Sequence, residues 1–257
     1  MAGCEVELLG ARALHWPERR QLLVADLHWG KEATLQAHGM PVPAGSLDDD
    51  LARLLAAIEA TGATGVTVLG DLIHHGRGVT GAVIAQLERF RAATSADLRL
   101  VVGNHDRSVS LLPPSLRLEI VREQLDEGPF RLAHHPEPAA GRYVLAGHQH
   151  PVVRLSGGGD TLRLPCFHLT RAVGVLPAFG SFTGGGPIVR QPGDRGGRPS
   201  RSPCSPAPAQ SMTGGGMTST IVVTPAPKNV VASKVRTRHA EPSAVSMSTR
   251  WPLREKP

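Results

Sequence analysis

The sequence predicts an α/β fold in which two β-sheets pack together and helices flank them. Short apolar runs alternate with helical patterns over residues 22–102, which is typical of a largely parallel sheet with crossover helices. After Gly128 the apolar runs are separated by short turns, which indicates a second, more antiparallel sheet packed on the first. Apolar periodicity stops near residue 190, so we expect a folded domain over residues 1–189 and a disordered tail over residues 190–257.

Seven apolar runs have the length and composition of β-strands. They cover residues 22–25, 66–69, 98–102, 130–133, 143–146, 152–155 and 172–176. The first three alternate with two helical patterns, which favours two right-handed crossovers. The glycines at 157–159 and the following Asp160 predict a turn between later strands.

Two segments between the first strands predict amphipathic helices. The first follows Ser46, a favoured N-cap residue, and has acidic residues in its first turn and Gly62 beyond its end. Its apolar face consists of Leu47, Leu51, Leu54, Leu55 and Ile58. The second follows Thr80, and its apolar positions are Val83, Ile84, Leu87 and Phe90. Both sets have the spacing of one helix face.

Charge is distributed unevenly along the chain. The whole sequence has 28 basic and 22 acidic residues, but residues 1–189 hold 17 and 19 of them while residues 190–257 hold 11 and 3. The tail also contains 10 of the 22 prolines, and its one apolar patch, residues 220–224, is too short for us to expect structure there. We therefore expect a basic tail attached to a slightly acidic domain.

Composition disfavours membrane and secreted classes. No apolar run approaches the roughly 20 residues of a membrane span, and Glu5 and Glu7 stand where a signal peptide would be basic and then apolar. Cys4, Cys166 and Cys204 are far apart and form no CxxC pair, which argues against a disulfide framework and against a thiolate zinc site. We expect a cytoplasmic protein without a membrane partner.

Polar residues typical of metal sites follow the first three predicted strands. Asp26 and His28 follow the first, Asp71 follows the second, and Asn104 and His105 follow the third. Because the carboxyl ends of parallel strands form the ligand crevice of an open α/β sheet, we expect these three groups to converge.

Histidines follow two of the later strands as well. His134 comes after the fourth run, and His148 and His150 come after the fifth, two residues apart and so on one side of an extended chain. A cluster of oxygen and imidazole ligands accepts Mn(II), Fe(II), Zn(II) or Co(II), whereas magnesium and calcium prefer oxygen.

The order of these motifs provides the strongest signal. D-L-H, G-D-L, G-N-H-D, a later His-His-Pro and G-H-Q-H together resemble the calcineurin-like metallophosphoesterase superfamily. The longer stretches D-L-H-W-G-K-E, G-D-L-I-H-H, G-N-H-D-R and A-G-H-Q-H-P are similar to its branch of ligase-associated DNA damage response endonucleases. The resemblance covers residues 5–186 and implies a four-layer αββα sandwich.

The resemblance also implies a two-metal centre, with manganese as the expected metal and iron, zinc or cobalt as alternatives. The implied ligands of the first ion are Asp26, His28 and His150. Those of the second ion are Asn104, His134 and His148. Asp71 would bridge both ions, and a bridging hydroxide would attack phosphorus in line.

Further roles are expected around this centre. His105 matches the acid or charge-stabilising histidine of the family, and Asp106 is expected to orient its ring. His134 is favoured over His135 as the ligand, although a shift of one residue in register would exchange them. The candidates for substrate contact are Lys31, His74 and Arg107.

The resemblance implies a metal-dependent phosphodiesterase, with a DNA endonuclease in repair as the leading interpretation. DNA is then the expected partner, and repair proteins such as a DNA ligase are implied by the family alone. Aromatic residues make up only 4% of the sequence, which favours duplex or backbone recognition over stacking on single strands. The alternatives are hydrolysis of a small molecule, such as a cyclic nucleotide or a nucleotide-linked pyrophosphate, and a non-catalytic scaffold with the same fold.

Overall fold

The computed structural model describes residues 1–157 and 160–188, together with two short strands in the tail. Strands are numbered along the chain. The first sheet contains β1 (Val6–Leu9), β2 (Ala13–Trp16), β3 (Gln21–Val24), β4 (Gly65–Leu69), β5 (Asp97–Val101), β6 (Leu118–Val121) and β15 (Ala232–Val235). Their spatial order is β15-β1-β2-β3-β4-β5-β6. Neighbours from β15 to β3 are antiparallel, and neighbours from β3 to β6 are parallel.

The second sheet is mixed. It contains β7 (Leu125–Glu127), β8 (Phe130–Leu132), β9 (Tyr143–Ala146), β10 (Pro151–Gly157), β11 (Asp160–Leu169), β12 (Val173–Val175), β13 (Gly186–Pro187) and β14 (Thr220–Val223). The order is β13-β10-β11-β12-β9-β8-β7, and β14 pairs with β11. The long hairpin β10–β11 ends with Gly157 opposite Asp160, in agreement with the turn that the glycines predict.

Three α-helices and four 3-10 turns complete the described residues. The helices are α1 (Lys31–Ala37), α2 (Ser46–Thr61) and α3 (Gly81–Ala92). The turns are Pro17–Arg19, Gly76–Gly78, Asp106–Leu111 and Pro114–Leu116. Among the helices of this described part, none combines the length and the apolar character that crossing a membrane requires.

The side chains of β3 alternate between two apolar layers. Leu22 and Val24 pack with the apolar faces of α2 and α3, whereas Leu23 packs with Trp16 and Phe130 in the layer between the two sheets. Parallel strands that are buried on both faces have near-continuous apolar sequences, and all four residues of β3 are buried. The fold class is confirmed as two packed sheets with flanking helices, and the described α-helices cover the first sheet.

All seven predicted strands are present, as β3, β4, β5, β8, β9, β10 and β12. The helix that follows Thr80 is confirmed, and the hydroxyl of Thr80 accepts the N–H of Val83 at 3.3 Å. Gly62 ends α2 with φ 62°, a conformation that glycine adopts without strain.

The predicted N-cap of α2 is wrong by one residue. Ser46 is the first helical residue, and the N-cap position belongs to Gly45. The carboxylate of Glu32 in α1 accepts the N–H groups of Gly45 and Ser46 at 3.1 and 3.0 Å. A side chain from another helix therefore accepts N–H groups at the start of α2, where the sequence predicts that Ser46 caps the helix.

The expected disorder of the tail needs correction at two places. Thr220–Val223 forms β14 and pairs antiparallel with β11, and Ala232–Val235 forms β15 and pairs antiparallel with β1. A short apolar patch gains structure here because an existing sheet edge supplies its hydrogen-bond partners. The rest of residues 190–257 lies outside the described residues, so the domain boundary near residue 189 stays a prediction.

Candidate metal centre

The predicted ligands meet where loops from both sheets come together. Asp26 and His28 follow β3, Asp71 follows β4, and the remaining ligands follow β5, β8 and β9. The N–H of His148 donates to both carboxylate oxygens of Asp26, at 3.0 and 2.9 Å. This contact joins the β9 loop of the second sheet to the β3 loop of the first, so the site depends on the packing of the two sheets.

The first pocket consists of Asp26, His28, Asp71 and His150. Each of these side chains places one donor atom within 4.8 Å of the others. His150 Nε2 lies 3.4 Å from Asp26 Oδ1 and 3.4 Å from His28 Nε2. His28 Nε2 lies 3.8 Å from Asp71 Oδ2. The three residues predicted for one ion thus surround a common point together with Asp71.

The second pocket consists of Asp71, Asn104, His134 and His148. The other three side chains lie around the Nε2 atom of His134. This nitrogen lies 2.9 Å from Asn104 Oδ1, 3.1 Å from His148 Nδ1 and 3.5 Å from Asp71 Oδ1. The second predicted set is therefore also brought together. Asp71 directs Oδ2 to the first pocket and Oδ1 to the second, which is the arrangement a bridging carboxylate needs.

The backbone is strained at five of the predicted ligands. Their φ angles lie in the left-handed region, which is uncommon outside glycine. These residues are Asp26 (54°), His28 (49°), Asp71 (54°), His148 (70°) and His150 (45°). The surrounding hydrogen bonds hold this conformation, for example the bond from His28 N–H to the carbonyl of Asp71 at 2.9 Å.

Glycine before three of the predicted ligands has a steric reason. A Cβ atom on Gly70 would lie 2.1 Å from the imidazole of His134, and one on Gly103 would lie 2.4 Å from Asp71 Oδ1. A Cβ atom on Gly147 would lie 2.7 Å from Asp26 Oδ2. The glycines of the three motifs thus let the backbone of one loop approach the side chain of another.

This chain is similar in sequence and in structure to known phosphoesterases. The calcineurin-like phosphoesterase family model matches residues 19–141. The solved structure of the nuclease MPE from Pseudomonas putida is 39% identical in sequence, with a TM-score of 0.61, over 70% of this chain and 84% of that protein. The chain belongs to the calcineurin-like phosphoesterase family. It is therefore a metal-dependent phosphoesterase hydrolase.

Two further solved structures are similar to this phosphoesterase at a lower level. A protein of unknown function, AQ665 from Aquifex aeolicus, is 19% identical over 51% of this chain and 78% of that one, with a TM-score of 0.36. The phosphoesterase Yfce from E. coli is 17% identical over 62% of this chain and 79% of that one, with a TM-score of 0.35. No curated protein matches the chain.

The donor set of the phosphoesterase fits divalent metals of borderline softness. Carboxylate and imidazole donors are mixed in both pockets, the second pocket adds the amide of Asn104, and such sets suit Mn, Fe, Zn or Co. Burial is the main cause that lowers the pKa of His28, to about 2, with smaller contributions from His150 and His105. A neutral imidazole offers a lone pair to a metal ion, so this environment favours ligation.

Backbone carbonyls orient two of the histidines. His134 Nδ1 donates to the carbonyl of Leu69 at 3.1 Å, and His150 Nδ1 donates to the carbonyl of Gly184 at 3.1 Å. Each bond places the proton on Nδ1 and leaves Nε2 for the pocket. The sequence does not reveal the role of Gly184, because its backbone carbonyl makes the contact and lies far from His150 along the chain.

The structure corrects the role predicted for Asp106. Its carboxylate accepts the N–H groups of Gly103, Asp71 and Ile73 at 2.8, 2.9 and 3.1 Å, and does not meet the ring of His105. Asp106 thus ties the β4 and β5 loops together beneath the site. The ring of His105 is held instead by His74, whose carbonyl accepts from His105 Nδ1 at 3.1 Å. Burial raises the pKa of Asp106.

The other candidates lie around the two pockets. His74 stacks on His105 with ring centroids 5.3 Å apart, and its Nδ1 lies 3.4 Å from His28 Nδ1. Lys31 lines a small cleft beside His28, and burial lowers its pKa. Arg107 is exposed on the turn after His105. His135 is exposed and packs on the ring of His148 at 4.4 Å, while the buried His134 occupies the second pocket.

Proposed function

We propose that this phosphoesterase hydrolyses phosphodiester bonds in nucleic acid with two divalent cations. The observation that carries the proposal is the pair of pockets that share Asp71, one carboxylate oxygen facing each. A supporting observation is the 39% identity to a nuclease over 84% of that protein.

The proposed first cation is held by the first pocket and the second by the second pocket, with Asp71 common to both. We propose manganese, and iron, zinc or cobalt suit the same donors. Two bound cations would lower the pKa of the attacking water and would neutralise charge on the phosphoryl oxygens. The buried Asp26 and Asp71 carboxylates contribute the negative charge that retains such cations.

His105 is the proposed proton donor to the leaving oxygen. Its imidazole is exposed beside the pockets, and the bond from Nδ1 to the His74 carbonyl leaves Nε2 to hold the proton. The N–H of His105 donates to Asp71 Oδ1 at 2.9 Å, which fixes the residue next to the shared carboxylate. Lys31, His74 and Arg107 stay proposals for substrate contact.

The motif resemblance supports a narrower proposal, a DNA endonuclease that works in the cytoplasm in DNA repair. Its partner is DNA, and its protein partners are repair proteins such as a DNA ligase. The domain carries 17 basic and 19 acidic residues, so long-range attraction to DNA rests on the basic tail.

A substrate panel tests the proposed function. The manganese-loaded full chain is offered linear duplex DNA, circular single-stranded DNA, a cyclic nucleotide and a chromogenic phosphodiester. We expect cleavage of the DNA substrates, including the circular one if the enzyme is an endonuclease. Turnover of the cyclic nucleotide without any cleavage of DNA would instead identify a small-molecule phosphoesterase.

The variant Asp71→Asn is the first control for the panel. Asparagine tolerates the left-handed φ of this position but lacks the charge that faces both pockets. We expect turnover of every substrate to be nearly abolished and the bound manganese, measured by elemental analysis, to fall from two ions per chain. One ion or none in the wild type at full activity would contradict the two-cation mechanism.

A further inference from the structure

The hairpin β10–β11 extends past the end of the second sheet that carries the predicted ligands. β10 begins directly after His150. β11 runs antiparallel to β12, and β12 pairs only with the last two residues of β11, His168 and Leu169. Residues 160–165 therefore lie beyond the carboxyl end of β12, the end at which the ligands follow the neighbouring strand β9. The hairpin thus forms an arm beside the metal centre.

One face of this arm carries two opposed arginines. Arg154 lies directly across from Arg163 in the antiparallel register, and both are exposed. Side chains alternate along β11, so Arg163 shares its face with Phe167, which packs between the two sheets. The arginine face is therefore continuous with the face of the second sheet that looks toward the first sheet and its ligand loops.

Within the described residues of the hairpin, the arginine pair has no compensating carboxylate on its face. The neighbouring cross-strand pairs on that face are Val152 with Pro165 and Ser156 with Thr161, and the acidic Asp160 lies on the other face opposite Gly157. Like charges directly across an antiparallel pair are destabilising. A pair that violates this rule beside a candidate active site points to an anion that bridges the two guanidinium groups.

A hydrogen-bond chain connects the arm to the first pocket. Arg163 Nη2 donates to the carbonyl of Gly185 at 2.7 Å, and the adjacent carbonyl of Gly184 accepts from His150 Nδ1. Arg154 is four residues beyond His150, or about 13 Å at the rise of a β-strand. The two arginines are thus close enough to the centre to contact the substrate, but they are separate from the pockets themselves.

We propose that Arg154 and Arg163 bind a backbone phosphate of a nucleic-acid chain whose scissile phosphate lies in the metal centre. This inference rests on the proposed function and makes it more specific, because a second phosphate at this distance exists in a polymer and not in a simple diester. Guanidinium groups bind phosphate in a bidentate geometry, and two of them on one face suit a single phosphate or two successive ones.

The binding test uses the full chain in calcium without manganese, so that a fluorescein-labelled oligonucleotide is bound but not cleaved. For Arg154→Ala with Arg163→Ala we expect affinity to fall about tenfold or more. The slope of log affinity against log salt should flatten by roughly 0.7 to 0.9 for each phosphate that the variant no longer neutralises. The double lysine variant should keep most of the slope, because lysine retains the charge.

The matched control is Arg171→Ala. Arg171 is an exposed arginine just before β12, at the opposite end of the second sheet, and its removal should leave affinity and slope unchanged. An unchanged slope in the double alanine variant would overturn the proposal. So would competition by poly-glutamate as strong as that by unlabelled DNA, since the surface would then recognise carboxylates equally well.

Kinetics separate this proposal from the proposed function. With manganese, kcat/KM of the double alanine variant should fall about tenfold more for an oligonucleotide than for the chromogenic diester. Equal losses on both substrates would mean that the arginines merely support the Gly184–Gly185 segment, and Arg154→Ala alone, which leaves the bond from Arg163 to that segment in place, would then show no loss. If the wild type binds the oligonucleotide through the arm but never cleaves it, the proposed function fails while the phosphate site stands.

Discussion

At the scale of single residues, backbone strain is concentrated in the candidate metal centre. In the part of the chain that the structure describes, five of the nine residues other than glycine with positive φ are predicted ligands. Each such conformation costs of order 1 kcal/mol for a residue with a Cβ atom. The strained conformations persist because side chains and N–H groups from several loops hold the ligand residues in place. These conformations turn successive ligand side chains toward the same pocket.

Substitution of His148 tests this strain. His148→Gly and His148→Ala remove the same imidazole from an exposed position, but only glycine adopts φ 70° freely. We expect His148→Gly to be more stable than His148→Ala by about 1 kcal/mol in urea unfolding without metal. Both variants should bind less manganese than the wild type. Equal stabilities would show that the loop relaxes and stores no strain.

His105 gives a second prediction at this scale. His105→Asn keeps the backbone N–H that donates to Asp71 and removes the imidazole, so manganese content should stay near that of the wild type. Turnover should fall by about 10² to 10⁴, the usual contribution of a general acid. The loss should shrink for a diester with a very acidic phenol leaving group. A defect of equal size on good and poor leaving groups would leave His105 a purely electrostatic role.

At the scale of elements, a helix or strand can be predicted from the sequence when its own residues determine its structure. α2 and the buried strands β3 to β5 were predictable because their own apolar patterns determine them. The short strands β6 and β7 have no buried residue, and β11 contains Pro165, so their structure depends on distant pairing partners. The motif order identified the ligands, but the role of Asp106 depends on three backbone N–H groups that no local pattern indicates.

Glycine positions between elements give a prediction with an internal control. Gly103→Ala places a Cβ atom 2.4 Å from Asp71 Oδ1 and from its N–H nitrogen, so either the β5 loop or the shared carboxylate has to move. We expect weaker manganese binding and a stability loss of about 1 to 3 kcal/mol. Gly65→Ala, at the start of β4, meets no described atom within 4 Å and should behave as the wild type. Similar manganese affinities for the two variants would contradict the steric role of Gly103.

At the scale of the whole molecule, the basic tail has two separable contributions. It supplies β15, the edge strand of the first sheet, and β14, which pairs with β11 of the second sheet, and it carries the positive charge that the domain lacks. An uncovered edge strand exposes unpaired N–H and C=O groups and favours aggregation. Removal of the tail is therefore expected to affect stability and DNA binding by different mechanisms.

Two truncations separate these contributions. A chain that ends at Val235 retains every described strand but loses five basic and two acidic residues, whereas a chain that ends at residue 188 also loses β14 and β15. We expect the melting temperature to fall only for the shorter chain, because only that chain exposes the edges of β1 and β11.

The salt dependence of duplex binding should flatten in two steps as charge is removed, by roughly 0.9 for each phosphate that the tail no longer neutralises. Turnover of the chromogenic diester by the chain that ends at Val235 should match that of the full chain, since all predicted ligands precede Pro151. Identical salt slopes for the three chains would mean that the tail stabilises the sheets without contacting DNA, and the arginine arm would then be the main candidate for backbone contact.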